Sequence, residues 1–240
     1  MRQTNINQQQ GVTLIELMIS LVISMILMLG VVGLYVTSKR GYVLQDDLAR
    51  QQENARFSLD TLMHDIRMAG YSPTGNFVGD PINLATTADG GGTASDTITL
   101  AFDSPTDCLN QAAPGNVAVN RYFIDADNNL SCLGNGGADS EVLAEGVVNM
   151  QILYGIDTDG AADPDKADGQ ANKYVNWSSV IAIERDFIVS IRLGLLTSTP
   201  NESASAQNNK DHLVLDQTIT TTEKRIYRVY TNTIVMRNRV

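Results

Sequence analysis

The 240-residue sequence predicts an α+β fold, with one long N-terminal helix that is first membrane-spanning and then amphipathic, packed on an antiparallel β-sheet head. Three observations lead there. Leu17 to Val36 carries no charged residue, and as a helix it covers about 30 Å, the thickness of a bilayer core. From Leu48 to Ala69 apolar residues recur at helical spacing, one stripe opposite a charged face. Beyond Tyr71 the period changes to two, as in strands with one buried face.

The apolar segment "GVTLIELMISLVISMILMLGVVGLYV", Gly11 to Val36, keeps one carboxylate, Glu16, near its start. An acid buried in a membrane helix costs roughly 2.5–3.5 kcal/mol on insertion scales, so its presence asks for a partner. The competing reading is a side chain that reaches back to the headgroups from a shallow position. Ser20 and Ser24 stand at a small-xxx-small spacing that allows close helix contact. Flanking charge gives no orientation, with Arg2 on one side and Lys39 and Arg40 on the other. A secretory signal does not fit, because neither Ser38 nor Gly41 ends a small-residue cleavage pattern.

The helix is expected to run from about Val12 to Met68, with Leu48, Ala55, Leu59, Leu62, Ile66 and Ala69 as its apolar stripe and Gly70 and Pro73 ending it. Gly41 costs a helix interior about 1 kcal/mol, which makes two separate helices the alternative. "DTITLAF", "NRYFID", "EGVVNMQILYGID", "DFIVSIRLGLL" and "RIYRVYTNTIVM" read as strands. In the fourth, Val189, Ile191, Leu193 and Leu195 share a core face, and Ser190, Arg192 and Gly194 share a wet one. The polar, turn-rich segments "TTADGGGTASD", "DTDGAADPDKADGQAN" and "STPNESASAQNNKD" read as surface loops.

Composition narrows the function. Seventeen Lys and Arg against 27 Asp and Glu give a net charge of -10 with no long basic run, so no nucleic-acid partner is expected. No nucleophile elbow, phosphate loop or paired base is present; His64 reads as a solvated helix residue and His212 is distant from it, so no enzyme and no cofactor are expected. Cys108 and Cys132 read as a disulfide, since a metal site would need more Cys or His nearby. Asp157, Asp159, Asp163, Asp165 and Asp168 could gather oxygen ligands for calcium. However, Ala161 and Ala162 break the EF-hand order and no Glu closes the loop, so a solvated acidic loop is favoured.

The polar leader "MRQTNINQQQ" followed by "GVTLIEL" resembles the prepilin signal of type IV pilins and type II secretion pseudopilins. That resemblance implies cleavage between Gly11 and Val12, N-methylation of Val12, and a role for Glu16 in pairing with a neighbouring subunit's N-terminus to set filament register. Val12 stands where the family usually has Phe. "QENARF", "DIRMAGY", "YFIDADNNLSC", "MQILYG", "VSIRLGLL" and "TNTIVMRNR" are similar to the PilW family of minor pilins. The resemblance implies four segments: a leader at 1–11, a membrane and filament-core helix at 12–36, an amphipathic half-helix at 37–70, and a periplasmic head at 71–240. It implies a bacterial inner-membrane precursor that helps prime a type IV pilus and enters it. The implied partners are other minor pilins, the major pilin, a prepilin peptidase, the inner-membrane assembly platform, and lipid before assembly. The alternatives are a J-class pseudopilin of type II secretion and a membrane-anchored calcium-binding adhesin.

Overall fold

A computed structural model describes residues 11–83, 85–203 and 206–239. The expected leader lies, apart from Gly11, outside these residues. The first helix, α1 (Leu14–Met68), passes through Gly41 without a break. The chain divides into two compact units between Asp46 and Asp47, within α1.

In the first unit Thr13 starts the helix: its Oγ1 accepts the Glu16 N–H at 3.4 Å and its carbonyl accepts the Leu17 N–H at 3.2 Å. The helix therefore begins at Leu14 instead of Val12. Several hydroxyls of this segment bond back within it, with Ser20 Oγ donating to Leu17 O at 2.8 Å and Thr37 Oγ1 to Gly33 O at 3.0 Å. Ser24 Oγ likewise donates to Ser20 O. Such back-bonding lets an apolar helix carry serine without an orphaned polar group.

Among the described residues the second unit holds the rest of α1 and ten strands. β1 (Ile98–Asp103), β2 (Val117–Ile124), β3 (Asn129–Leu133) and β4 (Glu141–Glu145) form an antiparallel sheet in the order β1-β2-β3-β4. β5 (Val147–Ile156), β6 (Lys173–Val175), β7 (Ile188–Ser198) and β10 (Tyr227–Val235) form a second, in the order β10-β7-β5-β6. β8 (Lys210–Val214) and β9 (Gln217–Thr221) make a separate hairpin, and a short helix, α2 (Thr158–Ala162), follows β5. Leu62, Ile66 and Ala69 of α1 share one core cluster with Ile98, Leu100 and Tyr122 of the first sheet and Met150, Ile152, Ile191 and Leu193 of the second.

Two expectations are corrected here. The stripe of α1 that is buried against the sheets is Asp47, Gln51, Ala55, Ser58, Leu62, Asp65 and Ile66, while Leu48 and Leu59 are only half-buried. Gln51 of this stripe and the neighbouring Asn54 reach across to backbone carbonyls of the strands and loops. Gln51 Nε2 donates to Thr197 O at 2.9 Å and Ile226 O at 3.0 Å, and Asn54 Nδ2 to Glu145 O at 3.0 Å. The second correction is the wet face of β7: Ser190 and Gly194 are buried too. The β8–β9 hairpin lies over that face, and a Cβ at Gly194 would meet Leu215 Cγ at 2.8 Å, so the hairpin can settle only over a glycine.

The end of α1 is closed by residues far apart in the chain. Gly70 takes φ 76°, the left-handed geometry of a helix stop, and Tyr71 N–H returns to Met68 O at 2.7 Å. Asn238 then lays its amide across the last carbonyls, 3.1 Å from Arg67 O and 3.3 Å from Met68 O and Ala69 O.

Candidate functional site

From Leu14 to Val36 no side chain is buried, and Leu14 is 78% and Leu34 75% exposed. So long an apolar surface is not stable against water and must be covered by lipid or by other helices. By length and composition α1 is able to cross a membrane. Glu16 is the one charge in this stretch and occupies the first turn, where the helix dipole favours an anion. Thr13-Leu14-Ile15-Glu16 has the T-x-x-E pattern of a capping box, and its Thr13 half is formed. That T-x-x-E pattern was readable in the sequence but was missed, because the apolar run drew attention to the carboxylate and away from the helix start. Gly11 and Val12 lie in exposed, irregular chain just before the helix.

In the head, α1 is locked to β2 by a buried acid. Asp65 Oδ2 accepts the Tyr122 hydroxyl at 2.6 Å and Asn120 Nδ2 at 2.7 Å, and Asn120 Oδ1 accepts the Cys108 N–H at 2.9 Å. Burial pushes the Asp65 carboxyl up from its ordinary value, and the hydrogen bonds from Tyr122 and Asn120 and the charge of His64 only partly offset it. Burial and then the Asp65 charge raise the Tyr122 hydroxyl well above its ordinary range. Cys108 is disulfide-bonded to Cys132, which faces Tyr122 across the β2–β3 ladder. The bond and the acid thus pin the same hairpin from two sides.

The five loop aspartates do not converge. Asp157 is turned inward and caps α2, accepting the N–H groups of Gly160 at 2.9 Å and of Asp168 and Gly169 at 3.0 Å. Those bonds, Gly160 first, hold its carboxyl below the usual range. Asp163 pairs with Lys166 at 3.2 Å, Asp168 accepts the Gln170 N–H at 2.9 Å, and Asp159 reaches only Asn172 Nδ2 at 3.5 Å. Among the described residues no group of three or more His, Cys, Asp or Glu is placed to hold a metal ion. His64 is exposed, whereas His212 is buried in the β8–β9 hairpin within 3.2 Å of Thr221 Oγ1. An open groove of about 540 Å³ on the second sheet is lined by Leu153, Arg192, Leu215, Asp216, Thr231 and Thr233, and the Arg192 guanidinium stacks 4.0 Å from the Tyr174 ring.

A family model described as Type IV Pilus-assembly protein W (PilW) matches residues 121–238, from β2 to the C-terminal turn. One described as the prokaryotic N-terminal methylation motif matches residues 6–32. No curated protein matches the chain. Among solved structures, the type IV-like pilin TTHA1219 from Thermus thermophilus is 12% identical with a TM-score of 0.47, over 80% of this chain and 97% of that one. A chain of the GspK-GspI-GspJ complex from the type 2 secretion system of enterotoxigenic Escherichia coli is also 12% identical, with a TM-score of 0.38 over 75% of this chain and 96% of that one.

Proposed function

We propose that this chain, a type IV pilin-like minor pilin with a PilW domain behind an N-terminal methylation motif, is made as an inner-membrane precursor, cut between Gly11 and Val12, methylated at Val12, and then drawn into a pilus by its apolar helix. Its role is structural, and its work is assembly. The observation that carries this reading is the uncovered apolar start of α1 with Glu16 alone in the first turn. Lipid covers that surface before assembly, and the helices of other pilins cover it afterwards. In the second setting the carboxylate needs a partner, and the new amine of a neighbour's Val12 is the cation that processing creates. Pairing the two neutralises both charges and fixes axial height, because a subunit at any other level leaves a buried ion unpaired.

The remaining assignments follow from the same step. A prepilin peptidase acts at the exposed Gly11–Val12 bond, the inner-membrane platform moves the processed helix, and other minor pilins and the major pilin are its neighbours. The head faces the periplasm, an oxidising compartment that suits the Cys108–Cys132 bond. Intact-mass measurement on the chain from a pilus-producing host is expected to give a product starting at Val12 with one added methyl group, present in sheared pili. Chains that keep Met1 in a peptidase-competent host overturn the processing step. A processed chain found only in a secretion pseudopilus overturns the destination.

A further inference from the structure

We infer that β10 is a docking edge for a second copy of this chain, which supplies its acidic edge strand β4, so that heads join by strand pairing. β10 ends its sheet and pairs with β7 in unbroken register from Tyr227 to Val235, with no proline or bulge to blunt the edge. Met236 N–H bonds Val189 O and Thr199 N–H bonds Ile226 O, so the even-numbered residues of β10 turn their backbone groups towards β7. By the alternation of an antiparallel ladder, the N–H and C=O groups of Val229, Thr231, Thr233 and Val235 point outwards. Among the described residues none of these groups has a partner. The groove beside Thr231 and Thr233 leaves room for a side chain of an incoming strand.

Charge names the occupant. In a chain of net charge -10, residues 224–240 carry five Lys or Arg and no Asp or Glu, while residues 122–165 carry nine Asp or Glu and no Lys or Arg. Arg228 and Arg237 are exposed along and just beyond β10. β4 lies at the far end of the other sheet, with Glu141 and Glu145 exposed and Val142 51% exposed. Apart from the bond that Asn54 gives to Glu145 O, its outer side has no partner among the described residues. One copy therefore offers a basic edge and an acidic edge at different places, the condition for a head-to-tail contact between two copies. Main-chain hydrogen bonds would give such a contact its affinity, and the opposed charges its choice of strand.

The inference rests on the reading of the chain as an assembling subunit. The test mixes two full-length single-cysteine variants in detergent, Val142→Cys and Thr233→Cys, under mild oxidation. Both native cysteines are already bonded to each other, so only the new thiols report. The expected result is a mixed disulfide dimer at least ten-fold more abundant than the dimer of either variant alone, because association through the apolar helices alone would favour no particular pair. Adding Arg228→Glu and Arg237→Glu to the Thr233→Cys chain should abolish it, and Glu141→Lys with Glu145→Lys on the Val142→Cys chain should restore it. Should the charge variants fail to fold, 1 M NaCl on the unaltered pair, where charges are screened beyond about 3 Å, should cut the yield several-fold. A mixed dimer no more abundant than the self-dimers, or one indifferent to both salt and charge reversal, overturns the strand contact. Entry of the processed chain into pili in that case leaves the subunit reading standing.

Discussion

Asp96 sits just before β1 with 4% of its surface exposed, accepting the N–H of Gly90 at 2.9 Å and of Ile152 at 2.7 Å. Burial raises its carboxyl from 3.8 to about 6, outweighing those two bonds, and the nearby Asp89 and Asp216 push the same way. A raised value means that the folded state holds the proton more tightly than the unfolded chain. The contribution is fully present below about pH 4 and is lost as pH rises through about 6. It amounts to roughly 1–3 kcal/mol. Asp125 and Asp157 work in the opposite direction. Burial pushes Asp125 up, but the N–H groups of Asn129 and Asp127 and the Ser131 hydroxyl outweigh it, and both carboxyls titrate below the ordinary range. Their stabilisation is lost only in stronger acid. The melting midpoint of the full chain in detergent is therefore expected to rise as pH falls from 8 to 5, and to fall again below about 4. Asp65, also raised by burial, works the same way as Asp96, and His212, lowered by burial, works the opposite way. Asp96→Asn should therefore make the upper limb shallower and leave the lower limb alone; an unchanged slope in that variant would place the pH dependence elsewhere.

The elements of the head are held by bonds between distant parts of the chain, and the disulfide is the simplest to remove. It links residues 24 apart, so in the chain-entropy account its loss costs about 3 kcal/mol. For a head of this size that is about 6–12 °C in Tm. Cys108→Ala with Cys132→Ala should melt lower by that amount yet still fold, because Asp65 continues to tie α1 to Asn120 and Tyr122; a thermal scan of variant against parent reads it. Strands β1, β2, β5, β7 and β10 were legible in the sequence because each is long enough to show alternation. β3, β4, β6, β8 and β9 have three to five residues each, too few for a period to appear. The β8–β9 turn gave no warning either, since it passes through Leu215 at φ 56° where an Asn-Gly or Asp-Gly pair would have marked it. The polar stripe Asp47, Gln51 and Ser58 was hidden for a different reason. Gln51 reaches the Thr197 and Ile226 carbonyls and Asp47 accepts the Asn201 amide, all distant in sequence, while Ser58 bonds back to Asn54 O, and no periodicity in α1 reveals such pairings. At the candidate site Gly11, Val12 and Glu16 were marked by a local motif, whereas the contact between β4 and β10 needs the fold to show which strands lie at the sheet ends.

At the scale of the whole molecule, Glu16 has two possible uses that different substitutions separate. As the fourth residue of Thr13-Leu14-Ile15-Glu16 it belongs to a capping box, which tolerates Gln as well as Glu. As the lone anion of an apolar surface it pairs with a cation only if it keeps its charge. Glu16→Gln preserves length, polarity and capping capacity and deletes the charge; Glu16→Ala deletes everything. Neither variant should hinder membrane residence, because each removes an ion that is costly to bury, and neither alters the Gly11–Val12 bond or the head. Both are expected to insert, to be processed to Val12 and to accumulate to parental levels. If register in the filament depends on the charge, both should be depleted from sheared pili by a similar factor, ten-fold or more. Co-expressed parental chain should outcompete either variant for entry. Normal incorporation of Glu16→Gln beside depleted Glu16→Ala would assign the carboxylate to the helix start, and normal incorporation of both would leave it without a part in assembly. The readout is the ratio of this subunit to the major pilin in purified pili, normalised to the same ratio in membranes, so that a folding or insertion defect cannot pass for a defect in register.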